Sequence, residues 1–126
     1  MKTNKKTTLA QRQIIEKKLK PWAPLRRESQ PPSGWLKAIR GSIGITIRQL
    51  AEYLNVTHSS LLQLEKREAK GKASLELLNK VADVMGCKLI YAIVPKDSYS
   101  SLEDIINERA RLVAKEILQR AEHSMQ

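Results

Sequence analysis

His58 and His123 are the only imidazoles of this chain and Cys87 its only thiol. Neither paired carboxylates nor a glycine-rich phosphate loop accompany them, and the five glycines are scattered singly. Three metal ligands at workable spacing cannot be assembled from that inventory, so the reading is of a non-enzyme with no metal site and no cofactor. What remains is the chemistry of reading base edges. If Leu61 and Leu64 point inward on a helix, His58, Ser59, Leu62, Gln63 and Lys66 point outward. A glutamine amide binds adenine bidentately, and a serine hydroxyl donates to or accepts from several bases. His58 would reach a base or a phosphate. Leu62 either meets a thymine methyl or adds to the core.

Such residues need a helix held at a steep angle to a neighbour. Residues 47–66 read Ile-Arg-Gln-Leu-Ala-Glu-Tyr-Leu-Asn-Val-Thr-His-Ser-Ser-Leu-Leu-Gln-Leu-Glu-Lys. Two short helices joined by a tight turn require a small residue where they cross, and Ala51 supplies it. The turn requires a residue that tolerates positive φ, and Asn55 is the best choice after glycine. Leu50, Leu54, Val56, Leu61 and Leu64 supply apolar anchors on both sides. The order of these features spells a helix-turn-helix from Thr46 to Lys66, whose second helix enters the major groove of double-stranded DNA. Phosphates would be held by Thr46 and Gln49, near free helix amides, and by Lys66, Arg67, Lys70 and Lys72. Arg40 and Glu65 are expected to form a partly buried ion pair between the first and third helices of the domain.

The fold class is all-α, with four to five short helices in the helix-turn-helix domain. Residues 1–34 read as a basic N-terminal helix or arm (a weak helix over 9–20) and a proline-rich linker. Residues 35–86 read as the DNA-binding domain. Its first helix runs over 35–42 and closes at Gly44. Thr46 opens the second with Gln49 as a capping box, Thr57 caps the third, and Ser74 caps a fourth that runs up to Gly86. Residues 88–94 (Lys-Leu-Ile-Tyr-Ala-Ile-Val, within an 87–97 segment) are β-branched, apolar and short, which predicts a strand. A lone strand needs a partner, and residues 21–34 are too rich in proline to serve. The expectation is therefore an isologous homodimer in which Leu89, Ile90, Tyr91, Ala92 and Ile93 pair with the same segment of a second copy. Residues 98–126 read as a long amphipathic helix over about 101–122. Ser100 with Glu103, or Ser101 with Asp104, would cap it. Its stripe of Leu102, Ile105, Ile106, Leu112, Val113 and Ile117 is either core or a surface for a partner.

The net charge is +10, and it is unevenly spread. Residues 1–40 carry eleven basic and two acidic side chains, a net of +9, while residues 98–126 carry four basic and five acidic, a net of −1. The excess is an N-terminal arm suited to a polyanion, or else a solvated tail. A single cysteine fits a reducing cytoplasm. No apolar run of signal-peptide or bilayer length is present, so no membrane partner is expected.

Residues 35–66, with Ala51, Asn55, Val56 and Leu61 in the motif's fixed places, resemble the Cro- and phage-repressor-like (XRE-type) helix-turn-helix. That resemblance implies base reading by His58, Ser59 and Gln63 and pairing of Arg40 with Glu65. Asparagine replaces the usual glycine at 55. A narrower set, Gly34-Trp35-Leu36, Ala38-Ile39-Arg40, Leu64-Glu65-Lys66 and residues 87–96, resembles the mobile mystery protein A family. The resemblance implies an autoregulating, antitoxin-like repressor associated with a Fic-domain protein (mobile mystery protein B). The helix–strand ending is similar to the antitoxin of the HipA kinase system, in which strands of two subunits pair. The inhibitory signature of Fic partners, Ser or Thr, three residues, then Glu followed by Gly or Asn, does not occur here. Two readings compete with the regulator: a toxin-binding adaptor acting through residues 98–126, and an RNA binder acting through the basic arm.

Overall fold

The computed structural model describes residues 5–124, and of Lys5 only the backbone. Six α-helices follow in order: α1 (Lys5–Leu19), α2 (Trp35–Ser42), α3 (Ile47–Leu54), α4 (His58–Ala69), α5 (Leu75–Val84) and α6 (Leu102–Ser124). A short 3-10 turn covers Ala23–Arg27. The described residues divide into two compact units, residues 5–27 with 92–124, and Glu28–Tyr91.

The unit Glu28–Tyr91 holds α2 to α5, and its local chemistry explains each boundary. Thr46 caps α3 by accepting from the Gln49 amide at 3.1 Å, while Gln49 Oε1 accepts from the Thr46 amide at 2.9 Å. This is the capping box the sequence predicts. Thr57 and Ser74 cap α4 and α5 through the amides of Ser60 and Leu77. All four helices close in the same way. The amide two residues beyond the C-cap, or its equivalent, reaches back five positions: Ile45 to Arg40, Val56 to Ala51, Lys72 to Arg67, Cys87 to Ala82. Asn55 performs this closure between α3 and α4 at φ 56°, the one non-glycine residue with positive φ among the described residues. A short polar side chain makes that conformation affordable, so the asparagine stands where glycine would.

The core of this unit is Leu36, Leu50, Ala51, Leu61, Leu64, Val81 and Met85, with Ile39, Ile45, Ile47, Leu54, Ala73, Leu77 and Leu78 packed around it. No aromatic residue enters it. Leu50, Leu61 and Val81, one from each of α3, α4 and α5, are sealed from solvent. Emptying any of these positions to alanine leaves a cavity that costs roughly 2–5 kcal/mol.

The predicted strand over 88–94 is absent. Among the described residues there is no strand, and residues 88–95 carry neither helix nor backbone hydrogen bond. The physical reason is the one that made the strand unusual. A strand exists only as part of a ladder, and the described residues supply no second strand to pair with it.

In the other unit α1 and α6 are amphipathic but shallowly covered. Glu16 of α1 accepts from the Leu102 amide at the start of α6. Arg26 spends its guanidinium on the carbonyls of Ala23, Lys96 and Tyr99. Ser101 Oγ accepts from the Asp104 amide at 3.2 Å, so the second of the two expected caps is the one formed. No residue of α6 is buried.

Candidate nucleic-acid interface

Helix α4 places its apolar and acidic residues on one side and its small polar residues on the other. Leu61, Leu64, Glu65 and Glu68 are buried. Their spacing of three, four and seven positions is that of one helix face. His58, Ser59 and Gln63 are exposed, and none of their side chains is hydrogen-bonded among the described residues. Their donors and acceptors are therefore unspent. Ser60, by contrast, turns back on Thr57, donating to its carbonyl at 3.0 Å. Leu62 is half-buried and lies outside the core cluster, between the two roles the sequence leaves open for it.

The expected phosphate contacts are distributed around this face. Thr46 and Gln49 are exposed at the start of α3, and the capping box uses the Gln49 carbonyl while leaving its NH2 group free. The adjoining free amides favour an anion. Lys66, Arg67, Lys70 and Lys72 are all exposed and none forms an ion pair among the described residues. Arg48, also exposed in the first turn of α3, belongs with them by position. Sequence reading passed over it because an arginine on an outer helix face carries no distinguishing signal.

Two contacts hold α4 to α2. Arg40 donates from Nε to Glu65 Oε2 at 2.7 Å and from Nη2 to Glu65 Oε1 at 3.1 Å. A third donation, from Nη1 to the Ile45 carbonyl at 3.2 Å, ties the pair to the start of the α3 segment. The Glu65 side chain is 4% exposed and that of Arg40 14%. The Glu65 hydrogen bond raises the Arg40 pKa above its ordinary value, against the opposing effect of burial. The fork-to-carboxylate geometry is the strong, directional form of the interaction. The second contact comes from Glu68, which sequence reading missed. Its Oε1 accepts from the Leu36 amide at 2.8 Å. The signal was present in the spacing, since Glu68 completes the face begun by Leu61, Leu64 and Glu65.

Among the described residues no cluster of His, Cys, Asp and Glu could hold a metal, and no helix is long and apolar enough to cross a membrane. In the expected dimer segment, residues 87–97, Ile90, Tyr91 and Ile93 are exposed. Residues 36–91 match the model of the helix-turn-helix family. Neither a curated protein nor a solved structure gives a significant match to the chain. The match begins within α2, runs through the capped pair α3–α4 with its left-handed Asn55 turn, and ends beyond α5. Residues 36–91 are a helix-turn-helix domain of the XRE type, the kind found in DNA-binding regulators.

Proposed function

We propose that this chain is a sequence-specific double-stranded DNA-binding transcriptional regulator, a cytoplasmic repressor that acts on its own promoter. The observation that carries the reading is the division of α4. Its inner face is fixed to α2 by Arg40–Glu65, while His58, Ser59 and Gln63 stand exposed with unspent hydrogen-bonding groups. His58, Ser59, Leu62 and Gln63 read bases in the major groove. Thr46, Gln49, Lys66, Arg67, Lys70 and Lys72 hold phosphates. Two copies assemble through residues 89–93 and read the two halves of a palindromic site. Resemblance to the mobile mystery protein A family supports an antitoxin-like role beside a Fic-domain protein. The partner surface in that role is α6, whose Ile106, Leu112, Val113, Ile117 and Leu118 are all exposed.

The test is fluorescence anisotropy on DNA from upstream of the protein's own coding sequence, in moderate salt with random-sequence competitor. The wild type is compared with the Ser59→Ala/Gln63→Ala double variant. Loss of base contacts of this kind lowers specific affinity by roughly 10- to 200-fold, at about 1–3 kcal/mol per good pair. Random-sequence binding stays unchanged, because phosphate contacts supply it. Equal binding by both proteins, sequence-indifferent and salt-sensitive, would overturn groove reading by α4 and transfer the function to partner holding through α6.

A further inference from the structure

Glu68 is 5% exposed, as deeply buried as Glu65, yet no cation lies within ion-pairing distance of it among the described residues. A buried carboxylate without a counter-charge needs another source of positive potential. Helix α2 offers one and needs the return contact. Its N-cap is Gly34, with no side-chain cap and no acidic residue in the first turn. Glu68, arriving from α4, accepts the Leu36 amide and occupies the position of the missing cap, where the helix amides favour an anion. Gly34 shows how closely the two helices meet. A Cβ added there would stand 2.8 Å from Glu68 Oε1, and the backbone is at φ +86°. Only glycine leaves the carboxylate room.

We infer that Glu68 is a positioning residue for DNA reading: it caps α2 from α4 and, with Arg40–Glu65, fixes the pose of the reading helix at two points. This deepens the proposed function and rests on it. The two carboxylates are one turn apart on α4, and their partners are one turn apart on α2, in the reverse order. A single contact leaves a pivot, whereas two contacts one turn apart resist tilt. A tilt of about 10° at Glu65 moves His58, roughly 10 Å along the helix, by about 2 Å. That exceeds the tolerance of about 0.5 Å within which a preorganised site works. Phosphate contacts, made by long flexible lysines, are far less sensitive to the same tilt.

The experiment uses the full chain and the duplex of roughly 20 base pairs that the wild type enriches from a random library, spanning two half-sites. Affinity for that duplex and for its scrambled counterpart is measured for wild type, Glu68→Gln and Glu68→Asp, with hydrogen exchange at the Leu36 amide read alongside. Glu68→Gln keeps an acceptor at the same reach, so it retains the specific-to-scrambled ratio within about threefold. Glu68→Asp keeps the charge but falls one methylene short. It exposes the Leu36 amide to exchange and lowers the ratio at least tenfold, while scrambled-duplex affinity stays within about twofold. A merely structural Glu68 would lower the melting temperature without moving that ratio. Faster Leu36 exchange with an unchanged ratio overturns the inference and leaves the groove-reading helix standing. Failure of the wild type to enrich any sequence overturns both.

Discussion

At the scale of single residues, the interface separates side chains that read from side chains that hold. The side chains of His58, Ser59 and Gln63 are exposed and form no hydrogen bond or ion pair among the described residues, so substituting them changes stability by no more than about 0.5 kcal/mol. Arg40 and Glu65 are the opposite case. Removing one partner of a buried pair leaves the other charge desolvated, at a cost of about 3–5 kcal/mol, although the intact pair contributes little net stability over an apolar replacement. Arg40→Ala therefore destabilises the protein by about 3–5 kcal/mol, because Glu65 at 4% exposure cannot recover its water. The double variant Arg40→Met/Glu65→Leu removes both charges and recovers most of that loss. Urea unfolding of the wild type and both variants checks this, with equal losses in the single and the double variant as the contrary result. The anisotropy assay on the same variants tests specificity of position: a stable double variant that no longer discriminates its site would assign the pair to aiming α4.

At the scale of elements, legibility followed the local signals. The caps at Thr46, Thr57 and Ser74, the turn at Asn55 and the inner face of α4 are fixed by neighbours within a few positions, and each was readable in the sequence. The strand over 88–94 was not, because β-branched apolar residues state a preference while a ladder requires a second segment. The role of Glu68, though not its place on the inner face, was hidden for a related reason. A glutamate on an inward face reads as a fault in the pattern until the opposing backbone amide is in view. At α6 the sequence left two caps open, and the choice has a consequence for pH. Asp104 Oδ2 accepts from the Ser100 hydroxyl at 2.5 Å and from the Ser100 amide at 2.9 Å. These bonds, the hydroxyl's first, lower the Asp104 pKa below the ordinary carboxylate range. The folded state thus binds this proton more weakly than the unfolded chain. The cap's contribution is fully present above the ordinary aspartate range, and it is lost as pH falls through the lowered folded value. Titration of the Asp104 carboxyl followed by NMR is expected to show a midpoint below that range. The start of α6 frays only in more strongly acidic solution, and Asp104→Asn frays it at all pH values. A midpoint at the ordinary value would show that the Ser100 bonds do not persist in water.

At the scale of the whole molecule, the charge is concentrated in one stretch of the sequence, whereas uncovered apolar side chains are spread along it. Residues 1–40 hold a net charge of +9 out of +10, which concentrates the attraction to a polyanion at one end of the chain. Uncovered apolar residues occur all along the chain, from Leu9 to Leu118, and one close group of them lies just beyond α5. Ile90 is 59% exposed, Tyr91 66% and Ile93 89%, in a segment whose backbone groups form no hydrogen bond among the described residues. Water satisfies those groups as well as a ladder would, so hydrogen bonding alone does not drive pairing. In the proposed dimer the apolar side chains would drive it, at about 25 cal/mol per Å² removed from solvent. An antiparallel pairing of this segment with its copy covers them on both chains at once, which is the economy of an isologous interface. Light scattering at micromolar concentration is then expected to give twice the 14.3 kDa of one chain. Strand amides alternate in direction, so proline at one of two successive positions blocks the ladder whichever edge pairs. Of Ile90→Pro and Tyr91→Pro, at least one therefore yields a monomer. Because these amides form no hydrogen bond among the described residues, neither substitution lowers the melting temperature of the helix-turn-helix domain itself. A reading unit that dimerises contacts two half-sites about one helical turn apart, so the same variant halves the footprint as it halves the mass. A wild-type mass of one chain would instead leave a monomer reading a single half-site, and the exposed segment would have to serve a different partner.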